Sequence, residues 1–289
     1  MDPIARIERA LDCAVGAAEV RGCPPGLAKA MHYAVFPGGA RIRPRLCLAV
    51  AWACGDPDPA STDAAASAIE LLHCASLVHD DLPCFDDSPI RRGRPSVHSA
   101  FGERLAVLAG DALIVLAFQT MGRRIPAAPE AMGRVIATVA EGVGAPHGIC
   151  AGQAWECEGE VALADYHREK TGSLFVAATV AGAESAGAPS DTWRVVGERL
   201  GEAYQVADDL GDATGMRQGF GKPVGQDDTH GRPNAALALG VTGAIHRMKG
   251  LVASAIDAVP NCPGAPLLRD LIASEARRIM PEELLRLAA

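Results

Sequence analysis

Aliphatic residues recur every three or four positions in long blocks along this chain, and clusters of Pro, Gly and Asp separate the blocks. A period of this kind marks amphipathic helices rather than strands. Residues 3–20 alternate charged and aliphatic positions at helical spacing, with Pro3 suited to a first turn. Gly22-Cys23-Pro24-Pro25-Gly26 breaks that helix, and a second runs over about 27–35. Phe36 to Pro44 reads as a turn that carries Arg41 and Arg43 into an apolar helix at 45–54. A Pro/Asp/Ser loop from Asp56 to Asp63 leads to an Ala/Leu-rich helix over about 62–79. Further helices are expected over about 103–123 (a buried one), 130–142, 147–159, 165–186 and 192–212. A Gly-rich polar loop covers 213–233, and helices near 234–240, 243–258 and 265–288 follow. The pattern shows no strand pair, no short-period repeat and no long linker. It predicts an all-α fold, a single domain over 1–289 of roughly ten helices.

Composition narrows the picture. Hydrophobic residues make up 49% but aromatics only 4%, which favours closely packed Ala-rich helices over a sandwich or barrel. A net charge of −8 argues against a nucleic-acid partner, since a phosphate backbone needs a basic face. Nine cysteines (13, 23, 47, 54, 74, 84, 150, 157 and 262) never fall in a CxxC spacing. They read as reduced, mostly buried thiols, not as a disulfide frame or a zinc site. MDPIARIERALD places charges where a signal peptide needs an apolar core, and no apolar run is read as a membrane span. The expectation is a cytoplasmic protein.

Two acidic clusters carry the chemistry. His79-Asp80-Asp81-Leu82-Pro83-Cys84-Phe85-Asp86-Asp87 ends an apolar helix and runs into Arg91-Arg92-Gly93-Arg94-Pro95. Farther on, Asp208 and Asp212 are i and i+4 on one helix face, flanked by Asp209. Carboxylates this close repel unless cations bridge them. Oxygen-only ligands shared with an anion suit Mg²⁺ and a diphosphate, whereas the alternating ligands and Gly turn of a Ca²⁺ loop are absent. Either cluster alone also reads as a solvated helix end; both together, each with Arg or Lys nearby, favour the metal. Glu70-x-x-His73 is half of a di-iron signature whose other half is missing.

Five ordered segments resemble the trans-isoprenyl diphosphate synthases, the polyprenyl synthetase family. They are Gly38-Gly39-Ala40-Arg41-Ile42-Arg43-Pro44; Asp80-Asp81-x4-Asp86 with Arg91-Arg92-Gly93; Lys170-Thr171-Gly172; Gln205-x2-Asp208-Asp209-x2-Asp212; and Gly221-Lys222-Pro223. The likeness covers about 30–240, and within the family it is most similar to geranylgeranyl diphosphate synthases of phototrophic-bacterial carotenoid and bacteriochlorophyll pathways. The resemblance implies an isoprenoid synthase bundle around a central apolar cavity, usually a homodimer. It implies a Mg²⁺-dependent prenyltransferase that condenses isopentenyl diphosphate with dimethylallyl, geranyl or farnesyl diphosphate to give all-trans geranylgeranyl diphosphate. Asp80 and Asp86 would bind two Mg²⁺, with Asp81 adjacent; Asp208 would bind a third, with Asp209 and Asp212 helping directly or through water. Arg91, Lys170 and Lys222 match residues that grip the allylic diphosphate, and Thr171 and Gln205 match polar groups near the developing cation. Arg43, His73 and Arg92 match the isopentenyl diphosphate pocket, where Arg41 and Arg232 would add positive charge.

Other readings stay open beside these. His73 is either a substrate ligand or a satisfied core histidine, and His79 is either a ligand or a structural hydrogen-bonding residue. Asp87 reads as a solvated charge, and Gln153 as packing or support for the site. Ala40 stands where the family usually has Lys, and Gln226 where a lysine is common. In the family a large aromatic about five residues before the first Asp stops growth at the farnesyl stage; here that position is Ala75, beside Ser76. The floor of the cavity would then lie deeper, at Leu71, Leu72 or Phe118. The rival functions are a farnesyl-stage or other chain-length synthase, a catalytically silent subunit, and a terpene cyclase.

Overall fold

The computed structural model describes residues 2–158, 166–214 and 234–279. Its long elements are helices: α1 Pro3–Gly16, α2 Pro25–Val35, α3 Ile42–Ala53, α4 Pro59–Asp80, α5 Val97–Phe101, α6 Glu103–Gly122 and α7 Pro129–Val143. They continue as α8 Ile149–Ala154, α9 Ser173–Ser185, α10 Asp191–Thr214, α11 Ala235–Ala258 and α12 Ala265–Ile279. Prolines open α1, α2, α4 and α7, where a missing N–H leaves no bond unmade. Asp2 and Asp58 cap α1 and α4 by accepting from Ile4 N and Ser61 N.

Two helices are buried nearly all round. α4 is enclosed from Ala64 to Leu72, and α9 from Ala177 to Ser185, and both are made largely of small and aliphatic residues. α3, α7 and α10 pack on α9, while α3 and α6 pack on α4, so the C-terminal end of α4 and the N-terminal end of α9 are fixed by the same core. A second cluster, with Leu210, Ile245 and Met248, joins α10 to α11. Fixed helix ends are what the site needs.

Several expectations change. A strand pair exists: β1 Ile90–Arg91 pairs antiparallel with β2 Arg94–Pro95. The turn between them, Arg92-Gly93, has φ 53° and 75°, the two positive values of a tight hairpin turn. Arg-Gly is a weaker signal for it than Asn-Gly, so the pattern hid it. The break expected between 234–240 and 243–258 is present within α11, as a non-helical kink at Gly240 (φ 70°, ψ 160°) that separates two helical stretches. The 147–159 helix is only α8 followed by a 3₁₀ turn, Trp155–Cys157, and the 165–186 helix contains a π-helical turn, Arg168–Gly172. All nine cysteines are free thiols, but they are not mostly buried: Cys47 and Cys74 are buried, while Cys13, Cys84, Cys150 and Cys157 are exposed. Finally, α6 is long and apolar enough to cross a membrane by length and composition alone, a test that the core helix of a soluble protein also passes. It is not buried all round, since Leu108 and Val115 are more than half exposed.

Candidate active site

The C-terminal end of α4 is folded over by the segment that follows it. Asp86 N donates to Asp80 O (3.0 Å) and Ser88 N to Asp81 O (3.2 Å), which turns the chain back and sets Asp86 beside Asp80. The 3₁₀ turn after α8 adds Glu156, and oxygens of Asp80, Asp86 and Glu156 lie within 4.8 Å of one another. Two cations brace the group. Arg91 on β1 donates through Nε to both oxygens of Asp81 (2.9 and 3.0 Å) and through Nη2 to Asp80 (3.3 Å). Lys170 Nζ reaches Asp80 Oδ1 at 3.5 Å and pairs with Glu156. Burial works against the Arg91 cation, but the Asp81 hydrogen bond and the charges of Asp81, Asp80 and Asp86 hold its pKa above the usual value.

Lys170 owes its position to the π-helical turn. Such a turn widens the backbone by one residue and is common at functional sites. Its Glu169 is buried and accepts from Gly148 N at 2.9 Å, which ties the turn to the start of α8. α8 then passes so close that a Cβ at Gly152 would lie 2.3 Å from Lys170 N, so only glycine fits there. Thr171, in the same turn, donates to Gln205 Oε1 on α10 (2.7 Å), and Gln205 Nε2 donates to Asp209 Oδ1 (2.9 Å). Asp209 Oδ2 accepts from Ala235 N (2.7 Å), so this buried carboxylate also starts α11. The chain of donors runs one way. Among the described residues the Thr171 oxygen donates its proton to Gln205 and accepts no hydrogen bond.

A second cationic group has no carboxylate hydrogen-bonded to it among the described residues, although the charges of Glu70 and Asp208 act on Arg43. Arg43, in the first turn of α3, stacks over Phe175 (4.8 Å) and Tyr204 (5.7 Å), and its Nη1 lies 3.4 Å from His73 Nε2 on α4. Arg43 Nε is a buried donor with no hydrogen-bond partner among the described residues. Burial, and then the charges of Arg43, Arg92, Arg91 and Arg41, push His73 well below the usual histidine pKa, so it is neutral and accepts from Arg43. Arg92 lies against Gly39, where a Cβ would be 3.1 Å from its guanidinium. Arg41 is different: its side chain is 1% exposed and is held by Glu8 and Glu70.

The polyprenyl synthetase family profile matches residues 24–259. The chain is 50% identical over 279 residues to a geranylgeranyl diphosphate synthase of Cereibacter sphaeroides, covering 96% of this chain and 97% of that protein. It is 50% identical over 275 residues to one of Rhodobacter capsulatus, covering 95% of each. A solved FPP/GFPP synthase from Zymomonas mobilis superposes with a TM-score of 0.80 at 29% identity, covering 95% of this chain and 99% of that one.

The chain belongs to the polyprenyl synthetase family.

In this polyprenyl synthetase the residues named from sequence fall into three groups. Asp80, Asp81, Asp86, Arg91 and Lys170 meet at the end of α4, and Thr171, Gln205 and Asp209 form the hydrogen-bonded chain beside it. Arg43 and His73 meet on the α3–α4 seam. Asp208, partly exposed, and Asp212, buried, lie on the last turns of α10. Lys222, Gln226 and Arg232 lie outside the described residues. His79 is structural in its contacts: its ring fills the space over Gly110, and its Nε2 lies 3.3 Å from Val107 O. Asp87 points to solvent. Gln153 donates to Glu156 (2.9 Å), supporting the carboxylate group. Ala75 is buried in α4, and Ser76 Oγ donates to His73 O (2.8 Å).

Glu156 went unnoticed in the sequence, where it is one of several nearby acids. The only signal was Gln153, three residues before it on a helix. The Asp80, Asp86 and Glu156 set offers oxygen donors alone, on one side of a site rimmed by Lys and Arg, which fits a hard divalent cation shared with a phosphate. An apolar cavity of about 70 Å³ is lined by Ile42, Leu46, Leu200, Met248 and Leu271. It also touches Phe175 and Tyr204, the rings that carry Arg43.

Proposed function

We propose that this protein is a geranylgeranyl diphosphate synthase that joins isopentenyl diphosphate to an allylic diphosphate, acting through a single domain. The observation that carries the reading is the presence of two separately built cationic groups. One, Arg91 with Lys170, is paired directly with carboxylates; the other, Arg43 and Arg92 beside His73, makes no such pair among the described residues. A reaction between two diphosphates needs two such groups, and a cyclase of one diphosphate does not. The C20 product rests on the half-identity to geranylgeranyl diphosphate synthases over nearly the whole chain.

Asp80, Asp86 and Glu156 would hold Mg²⁺ from one side and Asp208 from the other, three ions in all, with Asp209 and Asp212 supporting. Bound there, Mg²⁺ supplies Lewis-acid stabilisation of the departing diphosphate. Arg91 and Lys170 donate to the same oxygens as the allylic C–O bond breaks and its electron pair leaves with the diphosphate. The Thr171 oxygen, its proton committed to Gln205, faces the allylic cation. Arg43 and Arg92 hold the second diphosphate so that its double bond attacks that cation, and the proton lost afterwards passes to the released diphosphate. Lys222 and Arg232 would add to the two cationic groups.

Labelled isopentenyl diphosphate with dimethylallyl, geranyl or farnesyl diphosphate, with and without Mg²⁺, tests the reading. A C20 product formed only with metal is expected. A C15 or C25 product would replace the chain length and keep the mechanism; the FPP/GFPP description of the Zymomonas protein favours that second reading. No product from any pair would leave a silent subunit. The same reading includes a cytoplasmic homodimer that feeds carotenoid synthesis. Leu108 (52% exposed) and Val115 (55%) form an apolar stripe on α6 that a second copy would cover. Light scattering should show a dimer, and Leu108→Glu with Val115→Glu should shift it to monomer.

A further inference from the structure

Arg41 lies at the head of α3 in a left-handed conformation (φ 52°), two residues before Arg43. It makes contacts in every direction available to its guanidinium. Nε donates to Glu8 Oε1 on α1 (2.8 Å), Nη1 to Glu70 Oε1 on α4 (2.6 Å), and Nη2 to Val35 O at the end of α2 (2.9 Å). Glu70 is 2% exposed, so it depends on this partner for compensation of its charge. The guanidinium also lies under Gly38, where a Cβ would be 2.0 Å from its Cζ. The turn 36–41 is thus wrapped around a pinned side chain, and that turn sets the bare backbone of Gly39 against Arg92.

Glu70 and His73 are i and i+3 on α4, on neighbouring turns of one face. Arg41–Glu70 and Arg43–His73 are therefore two successive rungs between the start of α3 and α4. The outer rung has a charge pair at 2.6 Å; the inner rung is a contact at 3.4 Å to a neutral imidazole. Arg43 is stacked on rings and has a donor unmade, so little else fixes its height along α4.

We infer that Arg41 is a positioning residue for the diphosphate subsite of Arg43, His73 and Arg92, and that Glu8 on the N-terminal helix takes part in it through Arg41. The inference rests on the proposed function and adds to it a link between α1 and the binding of the second substrate. It also separates Arg41 from the substrate contacts that its sequence position suggests.

The test uses the full chain and two readouts. One is steady-state kinetics with each substrate varied in turn; the other is calorimetric titration of isopentenyl diphosphate into protein held in EDTA. Arg41→Gln should raise KM and Kd for isopentenyl diphosphate about tenfold, the effect of losing a buried charged partner, with allylic KM and kcat within about threefold. Arg41→Lys should fall between the two. Because Arg41→Gln leaves Glu70 unpaired and can unfold the chain, Glu8→Ala at the partly exposed end of the network provides the second variant. It should raise the same two constants about threefold, and Glu8→Gln, which keeps an acceptor, should restore most of the difference. Unchanged isopentenyl diphosphate constants in folded Glu8→Ala protein would overturn the inference, as would a parallel rise in both KM values. A wild-type protein that neither binds nor converts isopentenyl diphosphate would instead overturn the functional reading itself.

Discussion

Glu156 lies in a three-residue turn, yet its carboxylate meets Lys170, accepts from the Tyr166 hydroxyl (2.5 Å) and from Gln153 (2.9 Å), and stands with Asp80 and Asp86. Glu156→Gln keeps the shape and removes the charge. It should leave folding intact and lower the apparent Mg²⁺ affinity about 10- to 100-fold, read from the metal dependence of turnover; an unchanged dependence would remove Glu156 from the metal group. The Asp motifs were legible in sequence because like charges packed into eight residues need an external cation, and that need shows locally. Glu156 lies outside both Asp clusters and gave no such sign. Arg41 and Arg43 looked equivalent two residues apart. They differ in their partners, Glu8 and Glu70 for one and aromatic rings and His73 for the other, and partners 29 to 161 positions away leave no local trace.

Helices carried most of the fold that could be read ahead of structure, because a 3.6-residue period survives whatever packs on it. Two irregular pieces near the site did not show, the hairpin turn at Arg92-Gly93 and the π-helical turn at Arg168–Gly172, whereas the break at Gly240 did. Each hidden piece is a departure from the period, set by tertiary contact. The π-helical turn gives a sharp test. A methyl at Gly152 would press on Lys170 backbone atoms at 2.3 and 2.4 Å, which cannot swing aside as a side-chain end can. Gly152→Ala should cost about 1–3 kcal/mol in denaturant unfolding and lower kcat roughly 100-fold by displacing Lys170. Loss of stability with kcat intact would separate the turn from catalysis. Ala75, on α4, is 1% exposed, so a ring there must displace neighbours or enter the space proposed to hold the growing chain. Ala75→Tyr should shift the main product to farnesyl diphosphate with a small fall in Tm. A folded variant that still makes the C20 product would place the channel elsewhere.

The chain carries a net charge of −8, yet Arg43, Arg92, Arg91 and Arg41 gather around the buried His73. This concentration, together with burial, shapes how stability responds to acid. His73 is pushed well below its usual pKa by burial and then by four arginines, and His167, beside the π-helical turn, is pushed to about 4 by burial alone. In the unfolded chain both titrate near pH 6.5. As pH falls through that value the unfolded state takes up protons that the folded state refuses, so both contributions are complete above about pH 6.5 and diminish below it. For His167 the loss ends near pH 4, where the folded protein also protonates. Two carboxylates, the partly exposed Asp63 and the buried Glu184, have pKa values raised by burial and act in the opposite sense, starting from the carboxylate range rather than from pH 6.5. Between pH 6.5 and 5 the histidines dominate, and unfolding free energy from urea titrations of substrate-free protein should fall by about 1.4 kcal/mol per pH unit for each. His167→Asn should reduce that slope by one proton while leaving the contribution of His73. Diphosphate bound at Arg43 should reduce the remainder, because an anion beside His73 offsets the arginine charges that hold its pKa down. A slope unchanged in His167→Asn would mean that the imidazole at 167 is not held neutral in the fold.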